Sequence, residues 1–329
     1  MDKKTNFFQY TNNFIKTSHV LSIPILESNL RNKSAVTIAI PTYKRSNLLK
    51  ITIDSALNQY GYDDYNVIVI DNNPERNDAT EQLLLTYNNS KLSYFKNEQN
   101  IGMCGNWNRF FELSQTQWTV MLHDDDILSP YYLETISRYL DDNISLIKPQ
   151  IVKFYNNENL EYPKYQCTLP LRKLALTDFM LGCAIGAPSH VIFQTKDVIQ
   201  LGGFNEDFYP TFDFVFNLQC VKCKNIYMLP YMLGGYRVLE NESLQQSTMK
   251  RYFQNRLIIS AFILRNLHVP KLFIKIIHFF AYPLWVGDIG RKYKMKYKMN
   301  IVYHILPDCI GSFVVRVFSY MVKAINNVY

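Results

Sequence analysis

Four short apolar runs alternate with helix-patterned stretches between residues 35 and 122, and this alternation narrows the possible folds more than any other feature of the chain. The runs are Ala35-Val-Thr-Ile-Ala-Ile40, Asn66-Val-Ile-Val-Ile70, Leu92–Lys96 and Trp118–Leu122. They are rich in β-branched and aromatic residues and bounded by polar turns, the pattern of strands buried on both faces. Between the first two, Leu48 to Asn58 sets Leu48, Leu49, Ile51, Thr52, Ile53, Ala56 and Leu57 largely on one side of a helix, and further helices are expected over Ala79–Tyr87 and around Asn106–Ser114. Repeated β-α-β units imply an α/β fold, a doubly wound, mainly parallel sheet with helices on both faces. Such sheets bind ligands beyond the carboxyl ends of their strands, which directs attention to the loops after Ile40, Ile70, Phe95 and Leu122.

The flanking regions differ in character. Residues 1–34 form an Asn-, Ser- and Lys-rich lead-in that ends in a weak apolar segment, Val20–Leu26, read as an edge strand. After the strand units come a predicted helix at Tyr131–Asp141, a looser Tyr- and Asn-rich region to about Leu169, a strand at Ala187–Gln194 and a helix at Phe212–Cys223. From residue 251 aromatic and aliphatic side chains are interleaved with Lys and Arg, the pattern of a helical basic extension. The regions are then 1–34, 35–130, 131–250 and 251–329.

Charge is distributed unevenly. From Lys250 onward thirteen basic residues face two acids, Asp288 and Asp308, whereas the preceding part carries an excess of four acids. Such asymmetry points to a polyanionic surface contacting the tail, either membrane or nucleic acid. The tail's aliphatics, Ile274, Ile276, Ile277 and Leu284 among them, suit lipid or protein core better than bases, so no nucleic-acid partner is expected. Lys275 and His278 interrupt the most hydrophobic stretch, Leu272–Val286, below the ~18 to 20 residues that span a bilayer. Met1–Tyr10 lacks a charged-then-apolar signal pattern. Six scattered cysteines include one Cys-x-x-Cys pair, Cys220 and Cys223, without the second pair that zinc would need. Reduced thiols in a cytoplasmic protein are therefore expected.

The strongest local feature is Met121-Leu-His-Asp-Asp-Asp-Ile-Leu-Ser-Pro130, in which three carboxylates follow directly on a buried strand. Like charges so placed are unfavourable unless a cation sits among them. Mg²⁺ or Mn²⁺ prefers carboxylate oxygens together with substrate phosphates, which suits a diphosphate-bearing substrate. The alternative is a solvated acidic turn capping the helix that begins near Pro130.

Taken in order, the strand ends resemble family-2 glycosyltransferases of the GT-A fold, in particular those that build bacterial polysaccharides and O-antigens. Ile38-Ala-Ile-Pro-Thr-Tyr-Lys-Arg45 resembles the opening strand and its loop, Val67-Ile-Val-Ile-Asp-Asn72 the second strand, Asn100-Ile-Gly102 with Asn108 the third motif, and Leu122–Pro130 the metal motif. The resemblance implies that Pro41, Thr42, Tyr43 and Arg45 line a nucleotide pocket and that Asp71 accepts the ring N–H of a uracil or thymine. It further implies that Asn100 and Gly102 close on the ribose, that Asp124 contacts the ribose hydroxyls beside Asp125, and that Asp126, with Asp124 as second candidate, holds Mn²⁺ or Mg²⁺.

Gly186–Phe193, Leu201–Glu206 and Thr211–Phe214 resemble the family's acceptor half. There the resemblance assigns the catalytic base to Asp213, with Phe212 where the family usually has Glu, and leaves Glu206 or Asp207 as substitutes. Ser189 and His190 are acceptor-side candidates, and Arg237 is placed to neutralise a leaving diphosphate. Leu239 stands where relatives often carry His. The function so implied is transfer of a sugar with inversion, from a nucleotide diphosphate donor, UDP-linked by preference, to a hydroxyl of a glycan or undecaprenyl-diphosphate-linked glycan. It would take place on an anionic membrane surface at the cytoplasmic face. The rivals are a nucleotidyltransferase, which normally shows a Gly-rich phosphate loop where this chain reads Pro-Thr-Tyr-Lys-Arg, and a relative that binds sugar or nucleic acid without turnover.

Overall fold

The computed structural model describes residues 5–155, 160–238, 245–293 and 308–326. The apolar runs become strands β2 (Val36–Thr42), β3 (Tyr65–Asp71), β4 (Leu92–Asn97) and β5 (Trp118–Met121), and every residue in them is buried. They lie in the order β4-β3-β2-β5 and are mutually parallel. The weak apolar segment before them forms β1 (Ser22–Leu26), antiparallel to β4 at the sheet edge. Connecting helices are α1 (Ser46–Leu57), α2 (Ala79–Leu85) and α3 (Gly102–Ser114).

Successive strand residues point to opposite faces, and two cores follow from that period of two. Ile38 and Ile40 of β2 and Val67 and Val69 of β3 join Leu49 and Ile53 of α1 on one face. Ala39, Ile68 and Ile70 point the other way, into a core with Phe110 and Phe111 of α3. A run of β-branched residues with no polar alternation is what a sheet covered on both faces requires.

The second half extends the same sheet. It contributes β6 (Ile127–Leu128), the short helix α4 (Tyr132–Ile136), β7 (Leu146–Phe154), β8 (Arg172–Lys173), β9 (Val191–Gln194), α5 (Thr195–Gln200), α6 (Phe212–Cys223) and β10 (Ile226–Arg237). Beyond β5 the order continues β9-β7-β10-β6, with β9 antiparallel to its neighbours, β10 parallel to β7, and β8 on β10. Two of these strands depart from the sequence-based expectation. β7 runs through the region read as loose, and its Lys148, Pro149 and Gln150 hide a strand pattern. β10 carries Pro230 and Gly234-Gly235, all strand breakers, and accommodates them by register shifts against β7 between Leu229 and Met232 and between Met232 and Gly235. The helix expected at Tyr131–Asp141 is instead α4 followed by a single 3₁₀ turn, Ser137–Tyr139.

The basic extension forms α7 (Gln246–Asn266), α8 (Lys271–Tyr293) and α9 (Asp308–Asn326). Ile259, Ile263 and Leu264 of α7, Ile274 and Ile277 of α8 and Val322 of α9 enter the core that α3 and α6 share. The lead-in is also tied down. Asn13 donates its backbone and side-chain N–H groups to the carbonyl of Gly202, and Phe7 is buried against Phe208 and Phe262. Gly202 has φ of 79°, and a Cβ there would stand 2.0 Å from the carbonyl oxygen of Thr11, so only glycine allows this approach.

Candidate functional site

β5 ends where the acidic triplet begins, and the three carboxylates meet different partners. Asp124 accepts the hydroxyl of Thr42 at 2.8 Å, and Arg45 places Nη1 2.8 Å from Asp125 and 3.5 Å from Asp124. Asp126 accepts the backbone N–H of Arg237 on Oδ1 at 2.9 Å, while its Oδ2, fully buried, has no hydrogen-bond partner. The Arg237 guanidinium packs over the Phe154 ring at 4.4 Å, and its Nε donates to the carbonyl of Asp125 at 2.9 Å. Burial, reinforced by the charge on Asp125, lifts Asp124 to about 6 and pushes Asp126 further upward.

Two imidazoles face the bare oxygen of Asp126. His190 has Nδ1 4.0 Å from it and Nε2 3.0 Å from the carbonyl of Ile127. A carbonyl only accepts, so Nε2 carries the proton and Nδ1, which has no partner, presents a lone pair. His123 has Nδ1 3.9 Å from the same oxygen and stacks on Trp107 with ring centroids 5.4 Å apart. Burial lowers His123 to about 4 and His190 to about 3, so both rings are neutral at physiological pH. His123, Asp125 and Asp126 each offer a ligand atom within 4.8 Å of the others. A buried carboxylate oxygen without a partner, a second carboxylate and a neutral imidazole together fit a divalent cation of the Mn²⁺ or Mg²⁺ type. Asp124, expected as the second metal ligand, has its oxygens turned to Thr42 and Arg45 instead.

Around this cluster the expected nucleotide residues take varied positions. Pro41 and Thr42 end β2 and are buried, whereas Tyr43 exposes 45% of its surface in the following loop. Asn100 is exposed beside Gly102, whose N–H it accepts at 2.9 Å. Asp71, expected as a base reader, stands at the end of β3. It is fully buried, its Oδ1 accepts the N–H of Asn73, and its Oδ2 accepts the hydroxyl of Tyr94 at 3.0 Å and the ammonium of Lys96 at 2.8 Å. Lys96 also reaches Asp78 at 3.0 Å, so Asp71 belongs to an ion-pair network that ties β3 to β4 and α2. Burial raises the Asp71 carboxyl above its usual range despite that ammonium.

A polar ladder joins Asn72 and Asn100 of the motifs to Asn97 and Asn106, which the sequence reading did not single out, and fixes the loops nearby. Asn97 donates to Asn72 at 3.1 Å and to Asn106 at 2.9 Å, and Asn72 donates to Asn100 at 2.8 Å and accepts the N–H of Ile101. No period or charge marks these asparagines in the sequence.

On the acceptor side, Ser189 is buried and accepts the backbone N–H of His123 at 3.1 Å. Lys148 of β7, also buried and also unforeseen, donates to the carbonyls of Ala187 and Ser189 and so clamps the loop that carries His190. His190 adopts φ of 66°, and Gly234 of β10 lies so close that a Cβ there would stand 2.1 Å from the imidazole Cδ2. Asp213 sits in the first turn of α6, half-buried, accepting the N–H of Phe214 at 2.8 Å, and burial raises its carboxyl to about 6. Phe212, which stands where the resembled family usually has Glu, is a core residue whose ring meets Trp107 edge-on at 5.0 Å. Trp107 thus stands between the ring of His123 and the start of α6. Glu206 and Asp207 lie elsewhere, 3.8 and 3.1 Å from Lys16 of the lead-in and largely exposed. Leu239 lies outside the described residues.

Comparison with known proteins agrees with this geometry. Residues 37–197 match the profile of "Glycosyl transferase family 2". An uncharacterized glycosyltransferase of Rickettsia conorii is 30% identical over 185 residues, a match that spans 54% of this chain and 30% of that protein. S. aureus TarS 1-349 in complex with UDP-GlcNAc superposes with a TM-score of 0.54 at 15% identity, over 78% of this chain and 80% of that one. The mannosyltransferase from Pyrobaculum calidifontis in complex with GDP-Man and Mn²⁺ gives 0.52 at 14% identity, over 93% and 90%. Residues 37–197, just under half of the chain, carry the profile of glycosyl transferase family 2, and the acidic triplet closing β5 and the GT-A arrangement of the sheet accord with that match.

Proposed function

We propose that the chain is a metal-dependent inverting transferase that moves a sugar from a UDP-sugar to a hydroxyl of a glycan or lipid-linked glycan. The observation that carries this reading is the end of β5, where the fully buried Oδ2 of Asp126 has no partner and two neutral imidazoles stand within 4.0 Å of it. Arg45 ion-pairs with Asp124 and Asp125, and Arg237 and Lys148 stand near Asp125 and Asp126, yet none of them hydrogen-bonds to the buried Oδ2, which is the position a divalent ion and the phosphates it carries would complete.

Asp126, with Asp125 and His123 beside it, would hold Mn²⁺ or Mg²⁺, which would supply Lewis acidity toward a leaving diphosphate. The rest falls to side chains. Arg45, 38% exposed at the head of α1, offers a guanidinium to phosphate oxygens beside Asp125. The exposed Tyr43 ring offers a face to the base, and Asn100 and Gly102 border the same edge. Asp213 acts as base, taking the proton of the acceptor hydroxyl as its oxygen attacks the anomeric carbon from the face opposite the diphosphate. With a carboxyl raised to about 6, it is ionised at neutral pH yet more basic than an exposed aspartate. The loop after β2, free of glycine, favours this reading over a nucleotidyltransferase.

The tail supports a membrane-facing acceptor. Leu272, Phe273 and Phe279 of α8 are exposed, as are Phe313, Val317, Tyr320 and Met321, which fall on one face of α9. Lys271, Lys275 and Arg316 accompany them, and each basic residue near anionic lipid gains about 1 kcal/mol. We assign this face to the inner leaflet, where an undecaprenyl-diphosphate-linked glycan would be presented. Ile277 and Trp285 of α8 are instead buried against the domain, with Arg256 over the Trp285 ring at 4.1 Å. The basic cluster from Arg291 to Lys298 lies outside the side chains the structure describes. No helix among the described residues is long and apolar enough to cross a membrane.

Thermal shift across UDP-, GDP- and dTDP-sugars with Mn²⁺ tests the donor assignment. A UDP-sugar should give the largest stabilisation. No stabilisation by any nucleotide sugar overturns the reading.

A further inference from the structure

We infer that His123 is a nitrogen ligand of the divalent cation, completing a set with the carboxylates of Asp125 and Asp126, and that this imidazole makes the site discriminate for Mn²⁺ and Co²⁺ against Mg²⁺. The inference rests on the metal site of the proposed function and adds to it a ligand that the acidic triplet alone does not supply.

Three observations converge on His123. Its ligand atom falls within 4.8 Å of those of both Asp125 and Asp126, whereas His190 lies outside that group although its Nδ1 faces the same oxygen. The oxygen it faces at 3.9 Å, Oδ2 of Asp126, is fully buried and without a hydrogen-bond partner, with His190 Nδ1 at 4.0 Å on it and Ser189 close by. The orientation of the ring is set without using a nitrogen. Stacking on Trp107 fixes its plane, with 25° between the rings, and the backbone N–H of His123 to Ser189 Oγ fixes its base. A histidine held by its face and its main chain leaves Nδ1 free for a cation, and Nε2, buried without a partner, would then carry the ring proton.

The chemical consequence follows from donor type. Mg²⁺ is hard, dehydrates reluctantly and is served by carboxylate and phosphate oxygens, whereas imidazole suits ions further along the first transition series. Two carboxylates alone would leave little to separate Mn²⁺ from Mg²⁺, so an added nitrogen is what tilts the site. Trp107 then has a part as a positioning residue, and its edge contact with Phe212 couples the ligand's orientation to the start of α6.

Pulsed EPR of Mn²⁺ bound to the full chain, without nucleotide, reads the ligand directly. The wild type should show coupling to a ¹⁴N nucleus, and His123→Phe, which can keep the stack on Trp107, should lose it. By titration calorimetry the same variant should bind Mn²⁺ at least ~10-fold more weakly, since a direct ligand should be worth no less than the outer-shell partners that cost 10- to 100-fold. Its Mg²⁺ affinity should change much less. His123→Gln serves as a second variant if the Phe form does not fold. Absence of nitrogen coupling in the wild type, or coupling that persists in both variants and disappears with His190→Asn, overturns the assignment. Asp126→Asn separates this from the underlying reading. If Mn²⁺ binding depends on Asp126 but carries no nitrogen signal, only the role of His123 fails. If Asp126→Asn leaves Mn²⁺ binding unchanged, the metal site itself is wrong.

Discussion

Gly234→Ala tests whether the imidazole of His190 is held by packing as tightly as the geometry implies. A Cβ at this position would stand 2.1 Å from Cδ2 and 2.6 Å from Nε2 of His190, whereas ordinary contacts lie beyond 3.4 Å. Neither side can give way freely. Gly234 is pinned opposite Leu128 in the β6–β10 pairing, and His190 is fully buried with Nε2 bonded to Ile127 at 3.0 Å. The ring must move by more than an ångström and surrender that hydrogen bond. Overpacking of this kind costs about 1–3 kcal/mol and the hydrogen bond about 1 kcal/mol more. The sum, about 2–4 kcal/mol, corresponds to a fall in Tm of roughly 3–6 °C for a chain of this size. A double-mutant cycle identifies the obstructing group. Because His190→Ala removes the imidazole, the double variant should be more stable than the sum of the single effects by at least ~1 kcal/mol, in the range seen for residues in contact. Unfolding of the four proteins measures this. Additivity within ~0.5 kcal/mol, or an unchanged Tm in Gly234→Ala, would refute the reasoning.

Lys96→Met should be strongly destabilising, by about 3–5 kcal/mol in chemical unfolding, because it strands the buried Asp71 without its cation; a loss below ~1 kcal/mol would contradict the buried-network account. Asp213→Asn should leave binding of donor and Mn²⁺ nearly intact and lower transfer by at least ~10²-fold, and an unaffected rate would remove Asp213 from the role of base. The same substitution has a pH signature. Burial raises the folded carboxyl to about 6, above its value in the unfolded chain, so the stability its neutral form contributes is lost as pH rises from the unfolded value through 6 and is gone above it. The Asn variant should accordingly gain in Tm at pH 8 and match the wild type at pH 3, and the opposite order would contradict the burial. Full-length protein should sediment with anionic but not neutral vesicles, and replacing Phe313 and Tyr320 by Asp should release it, while undiminished sedimentation would move the membrane contact off α9.

The first half of the fold was legible because its strands are buried on both faces. A sheet covered twice needs uninterrupted apolar runs, and β2 and β3 write that requirement directly into residues 36–42 and 65–71. β7 and β10 were not legible because each mixes breakers or charged residues into a strand whose register slips to absorb them, and Pro230 or Lys148 read alone argues for a loop. The site divides along similar lines. Asp124, Asp125 and Asp126 announce themselves by an adjacency that costs free energy without a cation. Asp71 stood out as a strand-end carboxylate, yet what decides its environment is Lys96, twenty-five residues later on the neighbouring strand. Lys148 and the Asn72, Asn97 and Asn106 ladder act only through partners that folding brings together, and Phe212 could be recognised as core only once Trp107 was seen beside it.

The central claim is that the acidic end of β5 handles a nucleotide sugar through a divalent ion. Release of UDP from UDP-sugars, followed with Mn²⁺ present and after chelation, tests it most directly when wild type and Asp126→Ala are run side by side. The account predicts release that requires the metal and is abolished in Asp126→Ala. Undiminished release by Asp126→Ala, or release unaffected by chelation, would contradict it.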